Sequence, residues 1–163
     1  MLLMKNDVKW SMSLMKNDVK WSTRFLDLAD HVASWSKDPS RKIGAVIVRP
    51  DRTIVSVGYN GFPRGVDDSP ERYEDRSVKY SFVCHAEMNA ITSSREALHD
   101  CTLYVSPLYP CKDCAKMIIQ CGIRRVVTRM VAEKHDEFQF DAAQTMFKEA
   151  AVMVWTEQEN VND

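Results

Sequence analysis

The chain has 163 residues, 45% of them hydrophobic and 28% charged, with a net charge of −1, the balance of one globular domain able to bury a sizeable core. That charge offers no general attraction to nucleic acid, and no apolar run approaches the roughly 20 residues of a membrane helix. The start Met1-Leu2-Leu3 meets Lys5 too soon to serve as a secretory signal, so a cytoplasmic protein is expected.

In chain order, the first feature is a duplication: residues 3–11 read Leu-Met-Lys-Asn-Asp-Val-Lys-Trp-Ser, and residues 14–22 repeat them. Two copies are too few for a repeat architecture. Residues 1–14 are therefore expected to be a disordered or added extension ahead of a native start near Met15. A recognition arm, or one continuous helix sharing a face across the offset of 11 residues, is the alternative. Ser22 or Thr23 is placed to cap a helix with an apolar stripe of Phe25, Leu26, Leu28, Ala29, Val32, Ala33 and Trp35. Asp38-Pro39 stops it.

Residues 43–48 then read as a buried strand and 53–58 as its partner across a turn at Pro50-Asp51. Residues 61–80 are polar and carry Pro63, Gly65 and Pro70, which predicts a long functional loop. Beyond it the pattern predicts a helix over 85–98, a strand over 101–106 and a helix over 110–121 opened by Pro110 and closed by Gly122. A strand over 125–128, a helix over 142–150, a strand over 151–156 and a polar tail over 157–163 complete the chain. This order predicts an α/β fold with a mixed sheet flanked by helices.

The chemistry gathers at two helix starts. His85 opens one, and Cys111 and Cys114 lie in the first turn of another. Residues three apart share a helix face, so both thiolates can reach one ion, and a helix N-terminus favours the ionised thiolate. Three protein ligands leave one position of a zinc tetrahedron open for water, the mark of a catalytic site. Glu87, two residues after His85, is not needed as a ligand and is placed to move protons between that water and a bound ring. A redox Cys-x-x-Cys pair would leave His85 and Glu87 without a role, and a zinc ribbon would need a second Cys-x-x-Cys. Cys84, Cys101 and Cys121 are expected to be small reduced core residues.

His85-Ala86-Glu87 followed by Pro110-Cys111-Lys112-Asp113-Cys114 resembles the signature of the zinc-dependent cytidine and deoxycytidylate deaminases. The likeness extends through Ser36-Lys37-Asp38-Pro39, Gly58-Tyr59-Asn60-Gly61-Phe62-Pro63 and Asn89-Ala90-Ile91, and is strongest to the deoxycytidylate (dCMP) branch. The resemblance implies a three-layer α-β-α domain over residues 15–156 with a five-stranded mixed sheet. It implies conversion of dCMP to dUMP, for thymidylate synthesis, with zinc as cofactor. It further implies a homo-oligomer, commonly a hexamer, with dCTP and dTTP as effectors and magnesium accompanying them.

By the same resemblance Asn60 binds the sugar, Ala86 and Glu87 read the base, and Tyr109 lines the pyrimidine pocket. Lys42, Arg41, Arg64, Lys134 and His135 are candidates for the 5′-phosphate. Gly61, Phe62 and Arg64, with Asp67 and Asp68, are candidates for effector binding. Some members hold a second zinc near this loop, but residues 61–80 contain neither Cys nor His and the remaining histidines are scattered. One zinc per subunit is expected. The alternatives are a deaminase of cytidine, dCTP or a 5-modified dCMP, a tRNA adenosine deaminase, for which the charge is unsuited, and a non-catalytic zinc-stabilised binding module.

Overall fold

A computed structural model describes the backbone of residues 3–130 and 139–157, with side chains from residue 17 onward. A long first helix, α1 (Leu3–Ala33), leads into an antiparallel pair, β1 (Gly44–Val48) and β2 (Ile54–Tyr59). Two short helices follow, α2 (Pro70–Glu74) and α3 (Arg76–Phe82), and then α4 (Ala86–Ser93). The chain closes as β3 (Thr102–Ser106), α5 (Lys112–Gln120), β4 (Arg125–Thr128), α6 (Phe140–Glu149) and β5 (Met153–Thr156). The sheet order is β2-β1-β3-β4-β5. β1 runs antiparallel to both β2 and β3, while β3, β4 and β5 are parallel, so the sheet is mixed and five-stranded as expected.

Strand side chains alternate between two cores. Ala45, Ile47, Leu103, Val105 and Val126 face the layer of α4, α5 and α6, where Ala90, Ile118 and Phe147 meet them. Val46, Val48, Tyr104 and Val127 face the opposite way, onto Phe25, Leu26 and Ala29 of α1. Every residue of β1 is buried, as a central strand covered on both faces requires. Two glycines set the layer spacing. A Cβ on Gly44 would lie 2.0 Å from the Ala29 carbonyl oxygen, and one on Gly58 would lie 2.3 Å from the Ala90 nitrogen.

Several expectations are corrected. Ser22 and Thr23 do not cap a helix; they lie within α1, which runs through both copies of the repeat without a break at residue 14. Trp35 does not share the buried stripe. It lies beyond the end of the helix, is 49% exposed and meets His31 and Tyr59 edge-on. Residues 61–80 are not a loop throughout, since α2 and α3 occupy much of them. Pro70 opens α2, and Asp75 caps α3 by accepting from the Ser77 and Val78 amides. Both residues serve as helix starts rather than turn formers. Gly61 and Cys84 exchange backbone hydrogen bonds of 3.1 and 2.8 Å, which pin the base of this excursion. α4 ends at Ser93 rather than continuing to Leu98, because the Ser94 hydroxyl accepts from the Glu96 amide and turns the chain away.

Candidate active site

The carboxyl ends of β2 and β3 and the amino end of β1 meet at one edge of the sheet, the usual ligand side of an open α/β sheet. α4 and α5 both start there. Their N-cap residues are His85 and Cys111, and neither caps its helix with its own side chain. The side chains point instead to a common centre: His85 Nδ1 lies 3.4 Å from Cys111 Sγ and 3.4 Å from Cys114 Sγ. Around a tetrahedral zinc, with bonds of about 2.0–2.1 Å to nitrogen and about 2.3 Å to sulfur, those atoms stand about 3.5 Å apart. The donor set and its spacing fit zinc. Among the described residues, these three form the one cluster of metal-ligating groups.

The electrostatics of the cluster follow from its packing. The hydrogen bond with Cys111 pushes the His85 imidazole up to about 9. Cys111 is held down to about 4 by its bonds to Cys114 and then to His85, against the opposing effect of burial. Cys114 lies well above the usual thiol range, first because of its bond to Cys111 and then because it is buried. Glu87, on the first turn of α4 and only 4% exposed, is pushed up by burial against the pull of His85. A carboxyl that keeps its proton more readily than usual, beside a metal cluster, suits proton delivery to a ring nitrogen.

His85 and Cys111 of the cluster line a cleft of roughly 460 Å³, within the usual range of a small-ligand site. Ala86, Glu87, Tyr109, Phe140 and Asn60 also line it. Tyr109 is buried and set edge-on to Phe140 and Phe147, with ring centroids 5.9 and 6.2 Å away. The segment from Asp38 to Ile43, and α2 and α3 through Tyr73, Arg76, Lys79 and Tyr80, form the adjoining cleft wall.

The description of the cytidine and deoxycytidylate deaminase zinc-binding region matches residues 19–130. The chain belongs to this deaminase family. A probable deoxycytidylate deaminase of Caenorhabditis elegans is 47% identical over 131 residues, covering 78% of this chain and 64% of that protein. The deoxycytidylate deaminase of Mus musculus is 43% identical over 134 residues, covering 78% of this chain and 74% of its own length. In three dimensions the chain resembles a dCMP deaminase of cyanophage S-TIM5 solved in complex with dCMP and dUMP, at TM-score 0.63 and 26% identity. That match covers 85% of this chain and 96% of the phage protein.

Within this deaminase fold the sequence candidates separate. His85, Glu87, Cys111, Cys114, Ala86, Asn60 and Tyr109 all line the one cleft or its metal cluster. Lys42 is exposed and does not line the cleft, whereas its neighbour Arg41 does. Gly61 forms the bridge to Cys84, and Phe62 stacks on Tyr73 with centroids 4.4 Å apart, while Arg64 is exposed. Asp68 pairs with Lys37 and Asp67 with Arg72. Lys134 and His135 lie outside the described residues. Sequence reasoning passed over Lys79 and Asp38, which form a buried ion pair in the cleft wall. Their positions in the motif Ser36-Lys37-Asp38-Pro39 and just ahead of Cys84-His85 were the available signal.

Proposed function

We propose that the protein hydrolyses dCMP to dUMP and ammonia. The observation that carries this reading is the buried Glu87 carboxyl beside the His85, Cys111 and Cys114 cluster, lining a cleft sized for one nucleotide. The similarity to deoxycytidylate deaminases supports the choice of nucleotide.

His85, Cys111 and Cys114 would hold zinc, which would supply Lewis acidity and make the attacking water more acidic. Glu87 does the proton work. Its carboxyl donates to N3 of the cytosine ring, which makes C4 electrophilic, and takes a proton from the incoming water. It then passes that proton to the 4-amino group and takes up the remaining hydroxyl proton at C4 as ammonia departs and the C4 carbonyl forms, which restores the Glu87 carboxyl. Tyr109, braced by Phe140 and Phe147, supplies the apolar side of the base site. Ala86 lines the cleft, which supports the backbone contact to the base that the family resemblance implies for it. The Asn60 Oδ1 accepts from the Ile43 amide at 2.8 Å, and its second lone pair is the one suited to a sugar hydroxyl. Arg41 and Arg76 are the cleft-lining cations suited to the 5′-phosphate; Lys42 and His135 remain candidates by sequence.

The reading extends to the rest of the molecule. Residues 15–156 are taken as the deaminase domain, residues 1–14 as an extension and residues 157–163 as a tail. The assembly is a cytoplasmic homo-oligomer, with a hexamer as the family resemblance implies. dCTP and dTTP, with magnesium, act as effectors through Gly61, Phe62 and Arg64. Phe62 supports that placement, because it packs between Tyr73 and Phe82 of the helices that wall the cleft. Among the described residues no helix is long and apolar enough to cross a membrane.

The test is turnover of dCMP, dCTP, deoxycytidine and 5-methyl-dCMP by the zinc-loaded protein, followed by absorbance loss. The dCMP reaction is repeated with dCTP or dTTP present. Preferential turnover of dCMP is expected. Silence on all four substrates with zinc bound would overturn the reading.

A further inference from the structure

Lys79 and Asp38 are 41 residues apart in the chain, and Lys79 Nζ reaches Asp38 Oδ1 at 2.8 Å. Their side chains are 10% and 2% exposed. Taking two charges out of water is costly, and such a pair adds little stability over apolar residues of the same volume. What it does fix is position. Lys79 also donates to the Ser40 hydroxyl at 2.8 Å. Asp38 Oδ1 accepts from the Ser40 and Arg41 amides at 2.8 and 3.2 Å, and Asp38 Oδ2 accepts from Asn60 Nδ2 at 3.3 Å. Asn60 Nδ2 spends its other hydrogen on the Arg41 carbonyl at 2.9 Å. One ammonium thus ties α3 to the segment that places Ser40, Arg41 and Asn60 along the cleft.

We propose that Lys79 is a positioning residue for nucleotide binding, acting through Asp38 to hold the Ser40–Arg41 segment and Asn60 against the sugar-phosphate half of the ligand. The proposal rests on the reading of this cleft as the nucleotide site. The Lys79 ammonium bonds Asp38 and Ser40, whereas His85, Glu87, Cys111 and Cys114 are carried by α4 and α5. Removing Lys79 therefore loosens the binding wall and leaves the proton shuttle in place.

The experiment compares wild type, Lys79→Met, Lys79→Arg and the double variant Asp38→Asn/Lys79→Met. The readouts are dCMP kinetics, dUMP affinity by calorimetry, zinc content and thermal melting. Lys79→Met is expected to raise KM and weaken dUMP binding by about tenfold or more, with kcat and zinc content close to wild type. Lys79→Arg keeps the charge and is expected to recover most of the affinity. The double variant removes the lone buried carboxylate, so its melting temperature should exceed that of Lys79→Met while its KM stays high. It carries the same readouts if Lys79→Met is too unstable to purify. Recovery of KM together with stability would assign the pair a purely structural role and overturn the proposal. So would unchanged dUMP affinity in Lys79→Met, or a fall in kcat at constant KM. A wild-type protein that binds dUMP but leaves dCMP unchanged would overturn the functional reading alone. One that does neither would overturn both.

Discussion

At the scale of single residues, function rests on a division of labour between ligands and a neighbouring acid. His85, Cys111 and Cys114 converge because two helices begin at the same sheet edge and their N-cap side chains leave the helix ends. Glu87 sits in the first turn of α4, where burial raises its pKa. Replacing it with glutamine keeps size and hydrogen bonding but removes the transferable proton. Glu87→Gln is expected to retain zinc and dUMP affinity while ammonia release falls by about 10²–10⁴-fold, the usual contribution of a general acid–base group. Metal analysis and an ammonia assay on the same preparation check it, and near-normal turnover would remove Glu87 from the proton path. This part of the site was legible because ligand chemistry restricts residue type and spacing together. Lys79 was not. A lysine in a polar stretch is usually solvated, and its partner 41 residues away is chosen by the fold rather than by any local pattern.

Among the elements, legibility followed periodicity. β1, β3 and β4 could be read because continuous apolar runs signal strands covered on both faces, and α5 because proline and glycine bracket it. α2 and α3 were hidden because Pro70 and Asp75 serve turns and helix starts equally well, and a five- or seven-residue helix offers too few turns for an apolar stripe. The close approach of α4 to β2 was likewise invisible, since Gly58 in a strand signals only that something comes near. What comes near is the α4 backbone. A Cβ at residue 58 would stand 2.3 Å from the Ala90 nitrogen and 2.4 Å from the Ala86 carbonyl oxygen. Neither is a flexible side-chain end that could swing aside. Gly58→Ala must therefore push α4, and with it His85 and Glu87, away from the sheet. A loss of about 1–3 kcal/mol is expected from overpacking, read by chemical denaturation, together with weaker zinc retention. A neutral substitution would show that α4 can shift freely.

Across the whole molecule, the two faces of the sheet have different tasks. α1 covers one face and is latched to the far end of the chain by Arg129, which pairs with Asp27, Asp30 and Glu157. The other face carries α4, α5 and α6, and the cleft opens at its edge. The cleft wall adds a pH dependence. Burial pushes the Asp38 carboxyl up, but hydrogen bonds from Lys79 and from the Ser40 and Arg41 amides outweigh it and hold its pKa below the ordinary carboxylate value of 3.8. A group whose pKa is lower folded than unfolded stabilises the fold fully above the unfolded value and loses that contribution as pH falls through the folded one. Wild type should therefore lose stability more steeply than Asp38→Asn as the pH drops below 3.8. The variant should be less stable at neutral pH, where Lys79 stands unpaired, and the two melting curves should converge towards the acid end. Taking the difference between the two proteins cancels the acid loss of the metal cluster, which both share. Parallel curves at every pH would mean that Asp38 gains nothing from its partners on folding, and the ion pair would then have no claim to holding the wall.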